Sequence, residues 1–361
     1  MELAGLNLYR YDLPLVEPIK LKDVTLRSRE GLLIRLTDVE GEEGWGEAAA
    51  LPGFSRETLE DASRQLLGAK SSLLGAEIPA GHILPLSPSS RLANLVPSAR
   101  FALELAAWNL ISSPTGGTPT LTKDPPKETV LINGLLAGST EKVLTDALHM
   151  RKVGYSAVKI KVGHRGVPDD VGLIRDVRDV LGDGVGLRVD ANRAWSFEEA
   201  LEFGKGVADS GVEYVEEPLS APGRLAELAR SWGLPVALDE ALVGMEPEEL
   251  GRHGYARAVV LKPTFLGGIS RTLALAGRAL GLGMKPVLSS SYESGVGTAA
   301  LVATAAAVGD QPAGLDTYRW LAGDVILNPL KLPAPSIDVR RATQAAREVD
   351  LGRLEPVREP R

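Results

Sequence analysis

Ionisable residues close a series of short β-branched runs in the second half of the chain, and they do so in a regular order. SAVKIKVG carries Lys159 and Lys161, VGLRVDAN carries Asp190 and Asn192, and VEYVEEPL carries Glu216 and Glu217. LPVALDEA then carries Asp239 and Glu240, ARAVVLKP carries Lys262, and KPVLSSS carries Ser289. Three successive runs therefore present a carboxylate, flanked on each side by a run presenting a lysine. A single strand-end aspartate is usually a turn or helix cap, and a single strand lysine is usually solvated. The ordered series Lys, Asp, Glu, Asp, Lys is what points to a site.

The chemistry follows from the residue types. Three converging carboxylates in a partly dry cavity repel one another unless a cation holds them. Oxygen ligands without histidine or cysteine suit Mg²⁺, which leaves positions open to water or substrate. An amine acting as a base must lose its proton near neutral pH, and a divalent cation beside a second ammonium lowers its pKa in that direction. A metal polarising a substrate carboxylate, with a lysine beside it, is equipped to remove the proton α to that carboxylate. Lys159 and Lys161 share a strand face, so spacing alone leaves open which of them is the base. Glu217, on the opposite face from Glu216, reads as the structural member of its pair.

Such groups must be brought together by the elements that carry them. Adding TVLING before the series and PAGLDT after it, the runs start at 129, 156, 185, 212, 234, 256, 285 and 312. Amphipathic stretches such as STEKVLTDALHMRKVG and GISRTLALAGRALGLG fill the intervals. That alternation implies parallel strands joined by helices, and eight units point to an α/β fold of the (β/α)8-barrel type over residues 129–328. Strand ends converge at one mouth of such a barrel, and its second and sixth strands set their lysines opposite each other. No G-x-G-x-x-G follows the first run, which counts against a dinucleotide fold.

Residues 1–113 read as a separate α+β unit. GLLIRL at 31–36 and EGWGEAAA at 43–50 flank the polar turn TDVEGE, the pattern of an antiparallel hairpin. SRETLEDASRQLLG reads as a helix capped by Ser55, and PSARFALELAAWNLIS as one whose Phe101, Leu105 and Trp108 form a packing stripe. Residues 114–128, rich in Ser, Thr, Gly and Pro, read as a linker, and the charged segment 329–361 is expected to pack back on the first unit.

Composition removes several classes of function. With 361 residues, 44% of them hydrophobic and 24% charged, the chain has the balance of a soluble globular protein with a large core. The absence of cysteine excludes disulfides, thiolate metal sites and a Cys nucleophile. A net charge of −7 without a basic run argues against a nucleic-acid partner. The start MELAGLNLYRYDLPLVEP lacks the pattern of a signal peptide, and no stretch is apolar for long enough to span a membrane. Four histidines, at 82, 149, 164 and 253, are too scattered for a multi-His metal site, and His164 in KVGHRG reads as an exposed loop residue. The expectation is a cytoplasmic enzyme acting on a small-molecule carboxylate, with no membrane or nucleic-acid partner and its oligomeric state open.

The series K-x-K, D-x-N, E-E-P, D-E and K-P resembles the enolase superfamily in its muconate-lactonizing-enzyme-like subgroup. GWGE-x4-PGFS-x-ET at 44–58, LRVDANRAW at 187–195, SSSYES at 289–294 and GLDT at 314–317 resemble the o-succinylbenzoate synthase family within it. The resemblance implies an enolase-like barrel closed by an N-terminal α+β capping domain. It implies Mg²⁺, with Mn²⁺ able to replace it, on Asp190, Glu216 and Asp239. It casts Lys161 as the base, which returns its proton to the departing hydroxyl, and Lys262 as the group that stabilises the enolate. Lys159, Arg188, Asn192, Ser289 and the backbone at Gly314 match substrate-binding positions. Residues 16–28 fall where the family has a mobile loop over the site. The activity implied is dehydration of 2-succinyl-6-hydroxy-2,4-cyclohexadiene-1-carboxylate to o-succinylbenzoate in menaquinone biosynthesis. N-succinylamino acid racemases and dipeptide epimerases use the same apparatus; the latter usually hold an ammonium with Asp-x-Asp on the eighth strand, where this chain reads Gly314-Leu-Asp316-Thr. A Schiff-base aldolase would need no carboxylate triad, and a non-catalytic metal-binding barrel would have no use for both lysines.

Overall fold

The computed structural model describes residues 2–21, 24–78, 94–112 and 126–358. Alternating apolar residues in the first fifty positions build a twisted antiparallel sheet of β1 (Leu3–Leu21), β2 (Val24–Asp38) and β3 (Glu43–Ala48). Against it lie α1 (Leu59–Leu73) and α2 (Pro97–Ser112). The two glycines of GWGE explain the closeness of that packing. A Cβ on Gly46 would stand 1.9 Å from the Ala102 carbonyl of α2, and one on Gly44 2.1 Å from the Ala106 carbonyl.

The barrel opens after β4 (Thr129–Leu131) with β5 (Gly134–Leu136) and α3 (Thr140–Val153). It continues through β6 (Ala157–Lys161), α4 (Val167–Leu181), β7 (Gly186–Asp190), α5 (Phe197–Gly206), β8 (Val212–Glu216), α6 (Leu225–Trp232) and β9 (Val236–Leu238). Then come β10 (Ala256–Leu261), the short α7 (Pro263–Leu266), α8 (Ile269–Gly281), β11 (Lys285–Leu288) and α9 (Gly295–Val308). Strands β5 to β11 form one parallel sheet in sequence order. Parallel bridges from Ala313 to Ile132 and from Gly314 to Ser289 close it with a two-residue eighth stave. The chain ends with β12 (Ser336–Asp338), α10 (Val339–Ala345) and β13 (Glu355–Pro356). β12 pairs with β4, and β13 returns to the first sheet, setting Tyr9 opposite Pro356 and Arg10 opposite Glu355.

Two acids of the first unit end at helices of the barrel. Glu104 of α2, fully buried, accepts the Ser270 N–H at the start of α8 at 3.1 Å. Glu47 of β3, also fully buried, accepts the amides of Ser294 and Gly297 at the start of α9 at 2.8 and 2.7 Å, and the hydroxyls of Ser294 and Tyr11. Burial raises the pKa of both carboxyls, and these hydrogen bonds oppose the rise.

The structure corrects several expectations. The cap of α1 is Thr58, joined to Asp61 in a reciprocal capping box, while Ser55 Oγ accepts the Leu51 N–H instead. TVL at 129–131 pairs outward with β12, so the first stave lies a few residues later than the run start suggested. Residues 16–21 and 24–28 are strand rather than loop, the tip of a long β1–β2 hairpin with a register shift between Pro14 and Ile19. Most of the expected linker 114–128, namely 114–125, lies outside the described residues. Among the described residues, no helix is long and apolar enough to cross a membrane.

Candidate active site

Strand register sets the central groups level with one another. Lys161 lies opposite Asp190, Asp190 opposite Glu216, and Glu216 opposite Ala237, two residues before Asp239. Asp190, Glu216 and Asp239 are 1%, 1% and 4% exposed. Lys161 Nζ donates to Asp190 Oδ2 at 2.7 Å and to Asn192 Oδ1 at 2.6 Å. Lys159, one layer deeper, reaches up to Glu216 Oε2 at 2.7 Å and Asp190 Oδ2 at 2.9 Å. Lys262, from the other side of the ring, is paired with Asp239.

Burial is the largest influence on these groups, and the ion pairs act against it. Glu216 is pushed up to about 7 by burial, helped by Asp190 and Asp239 and opposed by Lys159. Asp190 is held below the usual carboxylate range, because the attraction of Lys159, Lys161 and Lys262 outweighs its desolvation. Lys159 and Lys262 are raised, since their carboxylate partners outweigh burial. Carboxylates this close favour the charged form of both ammonium groups.

Among the described residues, no three acids or histidines surround a common point in this arrangement, because the ammonium groups draw the carboxylates to themselves. The donor set still fits a hard divalent cation. Three buried carboxylates from neighbouring staves supply only oxygen, and lysines stand where positive charge is required.

Above these groups opens a cleft enclosing ≈ 620 Å³, its solvent mouth included. Lys159, Lys161, Lys262 and Asn192 form part of its wall. Leu21 of the hairpin tip, Leu51 and Phe54 close it from the first unit, and Phe265 adds an apolar side from α7. Asn133, Leu135, Ser289–Tyr292, Gly314, Asp316 and Thr317 complete it. Sequence reasoning passed over Asn133, Phe265, Tyr292 and Thr317. PGFS and SSSYES were the available signals for Phe54 and Tyr292, but a motif does not say which member faces the cleft.

Two expected substrate contacts are placed differently. Arg188 does not line the cleft. It lies fully buried one layer down, donating to Glu213 Oε2, Asn133 Oδ1 and the Pro312 carbonyl at 2.9, 2.9 and 2.7 Å. The Gly314 N–H is already given to the Leu288 carbonyl at 2.8 Å, so it is not a free donor for substrate. What Gly314 provides is room, because a Cβ there would lie 2.8 Å from Ser289 Oγ. Glu217, with φ of 39°, turns away from the site to hold the Asp239 and Ala241 amides and Arg193. His164 is exposed.

Comparison with known proteins bears on the family and the fold. Residues 142–343 match the family described as Enolase C-terminal domain-like, and residues 4–110 the family described as MenC, N-terminal domain. The o-succinylbenzoate synthase of Haemophilus influenzae is 32% identical over 311 residues, covering 83% of this chain and 85% of that protein. Protein PHYLLO, chloroplastic, of Arabidopsis thaliana is 33% identical in an alignment that covers 84% of this chain but only 20% of that protein. The dipeptide epimerase of Enterococcus faecalis V583, solved with Mg and the dipeptide L-Leu-L-Tyr, superposes with a TM-score of 0.80 at 20% identity, over 94% of this chain and 97% of that one. That last likeness shows the shared capped-barrel fold. From the two family matches and the near-full-length relative, the chain belongs to the o-succinylbenzoate synthase family of enolase-like proteins and is an enzyme of the lyase class.

Proposed function

We propose that this enzyme dehydrates 2-succinyl-6-hydroxy-2,4-cyclohexadiene-1-carboxylate to o-succinylbenzoate, a step of menaquinone biosynthesis. The observation that carries the reading is the set of lysines at the cleft floor, Lys161 on one side and Lys262 on the other, over three buried carboxylates. Asp190, Glu216 and Asp239 would hold Mg²⁺, or Mn²⁺ in its place. Bound there, the cation would polarise the substrate carboxylate and stabilise the dianionic enolate.

The residues of the chain do the rest. Lys161 takes the proton α to the carboxylate and returns it to the departing hydroxyl as water leaves, so one amine serves as base and then as acid. Asn192 fixes the direction of its Nζ. Lys262 keeps its proton and faces the developing negative charge. Leu21, Leu51, Phe54 and Phe265 exclude water around the enolate. Loss of the hydroxyl makes the ring aromatic, so little further assistance is needed.

Epimerisation of dipeptides is the rival activity, since opposed lysines permit proton transfer on both faces. A dipeptide brings a free ammonium, and the cleft wall at the eighth stave offers Asp316. Its Oδ2 already accepts the Leu135 N–H at 2.8 Å and lies 3.4 Å from Arg319, so among the described residues one buried oxygen, Oδ1, stands without a partner where an Asp-x-Asp pair would offer two carboxylates. Both reactions should be measured on one preparation with Mg²⁺, the first by loss of the diene's ultraviolet absorption. Dehydration should exceed epimerisation by at least about 10³ in kcat/KM, equivalent to roughly 4 kcal/mol; epimerisation of an Ala-Glu dipeptide at an equal rate would overturn the reading. Weak racemisation of N-succinylamino acids, which carry no free ammonium, is compatible with it.

A further inference from the structure

Arg29 of β2 takes a positive charge into the interior, where it is 2% exposed. Among the described residues, its hydrogen bonds go to backbone carbonyls. Nε donates to Tyr292 at 3.2 Å, and Nη1 donates to Glu30 and Ala50 at 2.9 Å each. Nη2 donates to Ala49 and, at 3.5 Å, to Ser291. A buried cation satisfied only by main-chain oxygens is a costly arrangement, and a planar guanidinium is the side chain that can fan out to several acceptors at once.

Apart from that of its neighbour Glu30, the carbonyls it gathers come from two segments at the cleft wall. Ala49 and Ala50 lead directly into Leu51 and Phe54, and Ser291 and Tyr292 are themselves lining residues beyond β11. The second segment is bent in a way that needs support. Tyr292 has φ of 62°, a left-handed conformation that a bulky side chain rarely adopts. Arg29 holds the carbonyls on both sides of that bend, while Glu293 accepts the Ser291 N–H and the Thr264 hydroxyl.

We propose that Arg29 is a positioning residue for the reaction. It sets the distance between the first unit's wall of the cleft and the wall beyond the seventh stave, and so the fit of the unreactive part of the substrate. It touches neither the lysines nor the carboxylates that act on the reacting carbon. The proposal rests on the functional reading above for its kinetic test, and it has a second test that does not.

In the full-length enzyme, Arg29→Met should raise KM for the diene acid at least tenfold while kcat falls no more than about threefold, as expected when ground-state and transition-state binding are lost together. Arg29→Lys keeps the charge but cannot reach both segments, so it should share most of the defect. A merely structural role would reduce the folded fraction and leave the KM of the remaining enzyme unchanged. Hydrogen exchange supplies the independent measurement: in either variant, amides of 49–54 and 289–294 should exchange faster together, with β6 unaffected. Should Arg29→Met not fold, Arg29→Lys carries both measurements. A wild-type KM in either folded variant, or unchanged exchange in the two segments, overturns the proposal. If the wild-type enzyme does not turn over the diene acid, the functional reading falls, and exchange alone decides the case of Arg29.

Discussion

Replacing Glu217 with glutamine changes one atom and leaves every residue of the cleft wall in place. In the native protein Glu217 Oε1 accepts the amides of Asp239 and Ala241 at 3.0 and 2.8 Å, and Oε2 accepts Arg193 Nε at 2.8 Å. Glutamine retains an oxygen for the two amides but turns an NH₂ group toward the Arg193 N–H, donor against donor. A hydrogen bond to a charged partner contributes about 1.5–3 kcal/mol. Arg193 is 31% exposed, so water recovers part of its loss, and a cost near the lower end, roughly 1–2 kcal/mol, is expected. The functional effect should be larger than that suggests, because the same carboxylate fixes the peptide that carries Asp239. Outer partners of metal ligands typically account for about 10–100-fold in metal affinity. Titrating the dehydration rate with Mg²⁺ should therefore show a half-saturating concentration at least tenfold higher in Glu217→Gln, with the rate at saturation within a few-fold of wild type. A lowered melting temperature with an unchanged Mg²⁺ titration would refute the reasoning, since Asp239 would then not be a ligand steadied through Glu217.

Lys161→Ala should lower kcat by about 10³ or more while the protein stays folded and binds Mg²⁺, since general base catalysis alone is worth about 10²–10⁴; a larger loss in Lys159→Ala would move the base to that residue. Asp316 offers a pH test. Its carboxyl is raised from 3.8 to about 6 by burial, with Arg319 opposing. The stability contributed by its protonated form is complete below about pH 4 and is lost as pH rises through 6. Asp316→Asn should therefore match wild type in unfolding free energy near pH 4 and exceed it at pH 8 by at most about 3 kcal/mol, and equal stability at pH 8 would count against the assignment. Gly46→Ala should destabilise the protein by about 3 kcal/mol or more by driving α2 off the sheet; an unchanged melting temperature would show that the helix can retreat.

The central groups were legible in the sequence because each occupies the end of a stave and stave ends meet by geometry. Lys161, Asp190 and Glu216 needed only strand alternation and the barrel rule to be set side by side. Positions that depend on tertiary contact were not legible. Arg188 belongs to the same stave as Asp190 and points the same way, but one layer deeper it donates to Asn133 and the Pro312 carbonyl and does not itself line the cleft. Arg29 bonds to carbonyls 20 and 262 positions away, and no local pattern announces such a reach. Thr58 displaced Ser55 as a helix cap because Asp61, three residues on, completes its box. Residues 16–21 lack a clean alternation because the register shifts between Pro14 and Ile19.

Glu47 and Glu104 also govern how this protein can be recombined. Each acid lies before residue 113, and the helix start that receives it lies beyond residue 268. A crossover in 114–128, the obvious joint for splicing the front of one relative to the barrel of another, separates both acids from the amides that neutralise them. A foreign front half without an acid at either position would leave α8 or α9 with bare amides facing an apolar wall, and a foreign barrel with a shifted helix start would strand a buried charge. Hybrids should accordingly survive in proportion to how well the two parents agree at these paired positions, and hardly at all according to their overall identity.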